Sequence, residues 1–540
     1  MAPGSLASAC IPGTFSPIVY GAEILTISAS LVTNYTLDIP EGYRFTAPSR
    51  KVEQATFCNV TISYTHPGFD DKVYVEAWLP ISNWNGRFQA VGGGGWQAGR
   101  FDFSYAGLAG AMYDGYASIT TDAGLGSTTD PGPWALTSPG NVNWYLLEDF
   151  ASKSLNDQTI IGKSLVKSFY GRPPSYSYFN GCSQGGRQAI MLAQRFPEAY
   201  DGISAGAPAI YYSEVMLTSF WPEQVMHMMG EIPHWCELDA ITAAAVSKCD
   251  GLDGVVDGII ANVEECKELF NPFDLVNKTV ACENTTKSIT KAAAEVVKAA
   301  WGGMVSETGK SLFYGIEPGS DLTCHSPNTK IPLCLAATEC SNGDCTNITS
   351  SVGARWLKLF VGKNPDFNLS NITLDEFTSL LHASRQEYRS MIGTTDPDLS
   401  EFKRSGGKMV SYHGLADIII PPKSTLKYYQ EVSEKVGNVE DFFRHFESPG
   451  LGHCMGGPGQ PDSLFAQLQA WVEDGIAPNS SPISFLNSKN ERQNRIICPW
   501  PRSAHYDSGC GNVAKAECWS CMNTGKITQS ALELRIQEEL

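Results

Sequence analysis

The chain has 540 residues, 42% apolar and 18% charged, a balance that excludes a disordered chain and allows one very large domain or several ordinary ones. Lys and Arg number 39 against 57 Asp and Glu, and the net charge of −18 argues against nucleic acid and anionic membranes, which both select cationic surfaces. No run of about 18 apolar residues occurs, so no membrane span is expected. In chain order, residues 1–66 read as irregular, with strand-like runs such as 23–32. Residues 72–79 alternate and are rich in Val, Tyr and Trp, which predicts a strand. Residues 87–91 predict a second strand, running into four glycines at 92–95, and 116–122 a third. Residues 144–170 space Leu146, Leu147, Phe150, Ile160, Ile161, Leu165 and Phe169 as one long helix does. A short aromatic strand at 176–179 meets a Gly-rich turn at 181–186, a helix over 187–195 and a buried strand at 202–205.

This rhythm implies an α/β fold, a mainly parallel sheet with helices on both faces. It breaks after residue 209 and returns at 408–412, at 442–446 and in a helix near 463–473. The expected organisation is one α/β domain, residues 1–209 and 401–540, interrupted by a second unit, 210–400. The tail from Cys498 holds four cysteines and is expected to be stapled rather than packed.

The 16 cysteines are even in number and need explaining. CxxC spacing occurs at Cys518 and Cys521 with no second pair at zinc-finger distance, which disfavours zinc. Eight N-x-S/T sequons, at Asn34, Asn59, Asn277, Asn284, Asn347, Asn368, Asn371 and Asn479, agree with a disulfide framework in a secreted protein. Residues 1–10 carry neither a basic nor an apolar signal region, so the expectation is a secreted protein whose signal segment is not in this sequence. A cytosolic protein ranks last.

Gly181-Cys182-Ser183-Gln184-Gly185 is a G-x-S-x-G motif between a strand and a helix, the setting of a nucleophile elbow. Ser183 is the candidate nucleophile, and the helix N-terminus behind it favours a developing oxyanion. A hydroxyl needs an adjacent base, and the chain order in this fold is Ser, acid, His. Of the downstream histidines, His453 lies in a Gly-rich loop just past a late strand and is the candidate base. His445 alternates within a strand and reads as structural, and for His413 a structural role is at least as good a reading as a catalytic one. Asp417, a few residues past 408–412, is the candidate acid that holds the imidazole, with Glu447 as rival. The oxyanion donors expected are the amide of Gln184 and one from the 92–95 loop, assigned to Gly94.

Cys182 precedes the nucleophile and Cys454 follows the base. If Ser183 and His453 meet, these two cysteines are close enough to bond. Cys182-Ser183, Asp417 and His453-Cys454 together resemble the tannase and feruloyl esterase family of fungi. The resemblance runs from about residue 58 through 92–95, 181–186 and 200–202 to 471–475. It implies an α/β-hydrolase fold, a lid inserted before the acid-bearing strand, a bonded Cys182–Cys454 pair, and a Ser-His-Asp esterase acting on plant phenolic esters.

Residues 249–259, Cys-Asp-Gly-Leu-Asp-Gly-Val-Val-Asp-Gly-Ile, gather three carboxylates among glycines, a donor set suited to Ca²⁺. Spacing alone leaves an acidic turn equally open, and it is not that of an EF-hand. The resemblance implies calcium ligands at Asp250, Asp253 and Asp257 and at the carbonyls of Val255 and Ile259, in a structural role far along the chain from Ser183. Cys249–Cys266 and Cys10–Cys58 are the other pairs expected.

The expected partner is an aromatic ester of plant polysaccharide or polyphenol; a homodimer stays open. Tyr211, Tyr212, Phe220, Trp221 and Trp235 are candidates for an apolar wall around the ring, although core packing is the commoner fate of such residues. Some fungal tannases are cut in the lid at a dibasic site. Here Lys403-Arg404 lies just before 408–412 rather than mid-lid, which tilts the reading toward a feruloyl esterase, with a tannase as the alternative. A catalytically dead hydrolase fold serving in adhesion is the remote alternative.

Overall fold

A computed structural model describes residues 3–282, 285–326, 332–341, 344–348, 351–487 and 489–523. The strands of its central sheet are β1 (Glu23–Ile39), β2 (Arg50–Thr65), β3 (Val73–Pro80), β4 (Arg87–Val91), β5 (Ala117–Thr121), β6 (Tyr176–Cys182), β7 (Gly202–Gly206), β8 (Lys408–Gly414) and β9 (Phe443–Ser448). Their order is β1-β2-β3-β5-β4-β6-β7-β8-β9. The first four in that order pair antiparallel, and from β5 to β9 every pairing is parallel. The α/β reading therefore holds. The strand-like run at 23–32 lies in β1, but the expectation of otherwise irregular structure before residue 66 is corrected: β1 and β2 form a long hairpin there. Register shifts break β1, and most of its residues face solvent, so apolar periodicity is weak.

Seven helices matter for the site: α1 (Asp102–Tyr113), α2 (Ser154–Tyr170), α3 (Gln184–Arg195), α4 (Trp235–Cys249), α5 (Leu374–Ile392), α6 (Pro422–Val436) and α7 (Leu464–Asp474). The long helix expected over 144–170 is interrupted, because residues Asp149–Lys153 form a π-helical turn between Trp144–Glu148 and α2. Strand alternation sorts side chains onto two layers. In β8, Met409 joins Leu155, Ile161, Ile190 and Tyr428 from α2, α3 and α6. Val410 and Tyr412 point the other way, to Leu464, Leu468 and Trp471 of α7.

The chain leaves the central sheet after β7 and returns at β8, with residues 207–407 between them. This segment is mostly helical with short hairpins. Its buried residues, Leu238, Val296, Trp356, Phe360 and Tyr388 among them, belong to the same cluster as the α2, α3 and α6 face. Eight disulfides use every cysteine: Cys10–Cys58, Cys182–Cys454, Cys236–Cys282, Cys249–Cys266, Cys324–Cys334, Cys340–Cys345, Cys498–Cys521 and Cys510–Cys518. The CxxC cysteines pair apart from each other, and the tail folds into hairpins around them.

Candidate active site

Ser183 stands at the C-terminal end of β6, immediately before α3. Its φ of 62° and ψ of −121° put a non-glycine residue in a strained turn that lifts the side chain clear of the backbone. The turn is feasible only because of its glycines. A Cβ on Gly181 would lie 2.6 Å from the Gly185 backbone, and one on Gly186 would lie 2.3 Å from the Gly206 carbonyl oxygen.

His453 Nε2 lies 2.9 Å from Ser183 Oγ, and His453 Nδ1 lies 2.7 Å from Asp417 Oδ2. Asp417 is completely buried, and its Oδ1 accepts the amides of Ile419 and Ile420, each at 2.9 Å. Burial alone would push this carboxyl up; the charge of His453 and the hydrogen bonds from His413 and His453 outweigh it and hold Asp417 well below the usual carboxylate range. The Cys182–Cys454 bond, with Cα atoms 5.9 Å apart, lies directly behind the Ser183–His453 contact. Tyr412 reaches it too, donating its hydroxyl to the Cys454 carbonyl at 2.9 Å.

The glycine loop is folded tightly against the elbow. Gly92 donates to the Asn180 carbonyl, Gly185 to the Gly93 carbonyl, and Gly93 to Gln188 Oε1 at 2.9 Å. Gly94 is corrected as the second oxyanion donor: its N–H closes a turn onto the Gln97 carbonyl at 3.0 Å and is taken. Gly95 and Trp96 follow it into the wall of the same cavity. Gln184 opens α3, where the first helical amides have no intrahelical acceptor.

Ser183 and His453 open into a cavity of about 900 Å³, lined by Phe45, Trp96, Phe101, Phe103, Tyr105 and Leu333 with the polar side chains of Arg100, Asp102, Asp130 and Arg355. The aromatic residues expected to form this wall do not: Tyr211, Tyr212, Phe220 and Trp221 are core, and Trp235 stacks on His325. The wall comes instead from the segment between β4 and α1, the first turn of α1 and Phe45 between β1 and β2, with a smaller share from the insertion. Sequence reasoning also missed Gln188, which grips the glycine loop at both Gly93 and Ala98, and Arg187. The Arg187 guanidinium is fully buried and donates to the carbonyls of Phe150 and Ala151 and to Gln184 Oε1. Desolvation pushes it down to about 9. The available signal was position, one helical turn after the nucleophile. His445, expected to be structural, is buried against Ser411, and burial pushes it down to about 3. The rival acid, Glu447, faces the C-terminal hairpins and is pushed up to about 7 by burial and by Glu317 and Glu264.

The acidic loop follows α4 and is stapled by Cys249–Cys266. Asp250 Oδ1 accepts the amides of Asp257, Gly258 and Ile259, Asp253 accepts that of Val255, and Asp257 pairs with Arg495. Burial, then repulsion from Asp257 and Asp250, pushes Asp253 up to about 6. Three carboxylates beside a single guanidinium, with Asp253 and Asp257 both pushed up by burial, are a donor set a hard cation suits. Among the described residues, the groups whose His, Cys, Asp or Glu ligand atoms lie within 4.8 Å of one another are His234 with Cys236 and Cys282, whose cysteines are bonded, and His66 with Asp71 and Asp149; the three carboxylates of the acidic loop stand further apart than that. The acidic loop is remote from Ser183 along the chain, yet it approaches the loop that carries His453. A Cβ on Gly450, three residues before His453, would lie 3.2 Å from Ile259.

A serine, histidine and aspartate linked by hydrogen bonds at the C-terminal ends of parallel strands define an α/β-hydrolase. The family model for tannase and feruloyl esterase matches residues 58–522. A protein of Arthroderma benhamiae named "Probable feruloyl esterase" is 38% identical over 512 residues, covering 93% of this chain and 92% of its own length. A tannase of Aspergillus oryzae is 29% identical, covering 93% of each chain. The structure of a tannin acyl hydrolase from Aspergillus niger superposes with a TM-score of 0.83 at 28% identity, covering 96% of this chain and 94% of that one. The chain belongs to the tannase and feruloyl esterase family of carboxylic ester hydrolases.

Proposed function

We propose that this protein is a secreted esterase that releases hydroxycinnamic acids of the ferulic type from plant cell-wall esters through an acyl-enzyme. The observation that carries the proposal is the Ser183–His453–Asp417 hydrogen-bond chain at the mouth of an aromatic-lined cavity. Ser183 attacks the ester carbonyl as His453 takes its proton. Asp417 holds the imidazole in the right tautomer and stabilises the imidazolium. The oxyanion is received by the amide of Gln184 and by one beyond Gly94 in the glycine loop. The alcohol leaves with the proton from His453, and water releases the acid by the same route in reverse. The phenyl ring packs against Phe101 and Phe103, a cavity of ordinary size for a small aromatic ligand.

Galloyl esters are the second reading. Arg100, Asp102, Asp130 and Arg355 offer the polar partners that a trihydroxy ring needs. Methyl ferulate, caffeate, p-coumarate, sinapate and gallate, each with Ser183→Ala as blank, separate the two. Cinnamate hydrolysis is expected, and activity confined to gallate would replace the first reading by the second.

Calcium is proposed at Asp250, Asp253 and Asp257 with the carbonyls of Val255 and Ile259. Bound there, it would supply positive charge that stabilises the loop and takes no part in the chemistry. Among the described residues no helix is long and apolar enough to cross a membrane. Secretion is supported by the eight disulfides. Sequons with exposed asparagines at Asn34, Asn277, Asn368, Asn371 and Asn479 are the glycan sites proposed. Asn59 donates to Glu76 and is a poorer acceptor, and Asn284 lies outside the described residues.

A further inference from the structure

Asp417 serves two histidines. Its Oδ2 is 2.7 Å from His453 Nδ1 and 3.0 Å from Nε2 of His413, a residue of β8 with no exposure to solvent. His413 Nε2 also faces the Ile420 carbonyl at 3.1 Å. Two acceptors on one nitrogen require a proton there, so His413 Nε2 is a donor. Its other nitrogen, Nδ1, meets Thr425 Oγ1 of α6 at 2.8 Å, and the hydroxyl can donate to it. The ring is thereby oriented from both ends, by α6 and by the β8–α6 turn. Its ionisable neighbours are Asp417, His453 beyond it, and on β9 His445 and Glu447, the latter paired in register with His413.

We propose that His413 is a positioning residue of the triad: its Nε2–H occupies the second lone pair of Asp417 Oδ2, aims that carboxylate at His453 and divides its charge. The inference rests on the Ser183–His453–Asp417 reading of the site. Four donors then satisfy Asp417, two amides on Oδ1 and two imidazoles on Oδ2. Without His413 the carboxylate keeps the two amides and His453 but loses the donor that fixes the direction of Oδ2, and its undivided charge falls on the His453 imidazolium. The first effect lowers kcat. The second stabilises protonated His453 and moves the acid limb of the kcat/KM profile to higher pH.

The test is His413→Leu, which removes the donor, beside His413→Gln, whose amide N–H replaces it, and Thr425→Val, which frees the ring tautomer. In His413→Leu, kcat on methyl ferulate or methyl gallate is expected to fall about 10- to 100-fold, the range for a hydrogen bond to a charged group, with KM within about twofold. Its acid limb shifts upward. His413→Gln recovers most of kcat and the limb position, and Thr425→Val shows a smaller shift in the same direction. The inference is overturned if a folded His413→Leu keeps kcat and limb unchanged, or if Leu and Gln are equally impaired, which is the signature of packing alone. If His413→Leu does not fold, a limb kept in place by His413→Gln and shifted upward by Thr425→Val supports the inference, and a Thr425→Val limb that does not move overturns it. Ser183→Ala keeps the two readings apart: residual full activity there would sink the triad itself, whereas an inactive Ser183→Ala with a normal His413→Leu would sink only this inference.

Discussion

Cys182 and Cys454 are bonded across 272 residues of chain, and each is the immediate neighbour of a residue whose side chains meet at 2.9 Å, Ser183 and His453. Ser183 and His453, the proposed nucleophile and base, come from opposite sides of a 201-residue excursion, 207–407, so their contact is the most entropically expensive in the site. The bond removes that freedom beside the reacting atoms. Replacing both cysteines by alanine is expected to reduce kcat/KM at least about tenfold, since small misplacements of catalytic groups are costly. The melting temperature should fall as well, the stability lost being at most about 5–6 kcal/mol on loop-entropy grounds. Full activity in a destabilised double variant would show that the bond stabilises without positioning.

Removing the proposed calcium should reach the same histidine from another side. EGTA is expected to lower the melting temperature, with recovery on adding Ca²⁺, and Asp253→Asn should abolish the response. Because Ile259 packs under Gly450, the loop ahead of His453, kcat should decline with it. A melting curve that EGTA leaves unmoved would remove calcium from the account.

A buried cluster makes stability pH-dependent. His66 Nδ1 lies 2.5 Å from Asp71 and Nε2 lies 2.9 Å from Asp157. Burial opposes its charge, but the bonds to Asp157 and Asp71 push His66 up to about 9. Burial, then repulsion from Asp71 and Asp157 against the attraction of His66, pushes Asp149 up to about 9. The folded state therefore retains the Asp149 proton across a range where the unfolded chain, with its ordinary value of 3.8, has lost it, and stability falls as pH rises through that range. The His66 contribution is whole below 6.5 and fades toward pH 9, in the same direction. Asp71, held down to about 2, contributes above 3.8 and fails only in acid. The melting temperature is expected to peak on the acid side of neutrality. Asp149→Asn, a mimic of the protonated carboxyl, should raise it by about 2–4 °C at pH 8.5 and little at pH 5. Equal gains at both values would assign the effect to packing.

The ring wall is testable by truncation. Phe101→Ala is expected to raise KM for methyl ferulate about tenfold with a smaller change in kcat, from the loss of about 1.5–3 kcal/mol of burial shared with neighbouring rings. A larger fall in kcat than rise in KM would place Phe101 under the glycine loop rather than under the ring, since its edge also packs against Gly94.

The parts of this protein legible from residues alone are those carried by local constraint. The Gly-Cys-Ser-Gln-Gly turn can be read because no other residue fits where Gly181 and Gly186 stand against backbone. The parallel strands can be read because both their faces are apolar. The order of Ser183, Asp417 and His453 follows from chain order in the fold, and the cysteines beside two of them predict their own bond. What the tertiary structure alone decided depends on partners far apart in sequence. Gly94 was a reasonable donor until its amide met Gln97, and the insertion's aromatics were a reasonable wall until they packed as core. For His413 the sequence left structural and catalytic roles side by side, because the choice lies in a carboxylate oxygen that it shares with a residue 40 positions away. Local sterics are written in the sequence, whereas which lone pair receives which proton is settled only when the strands close.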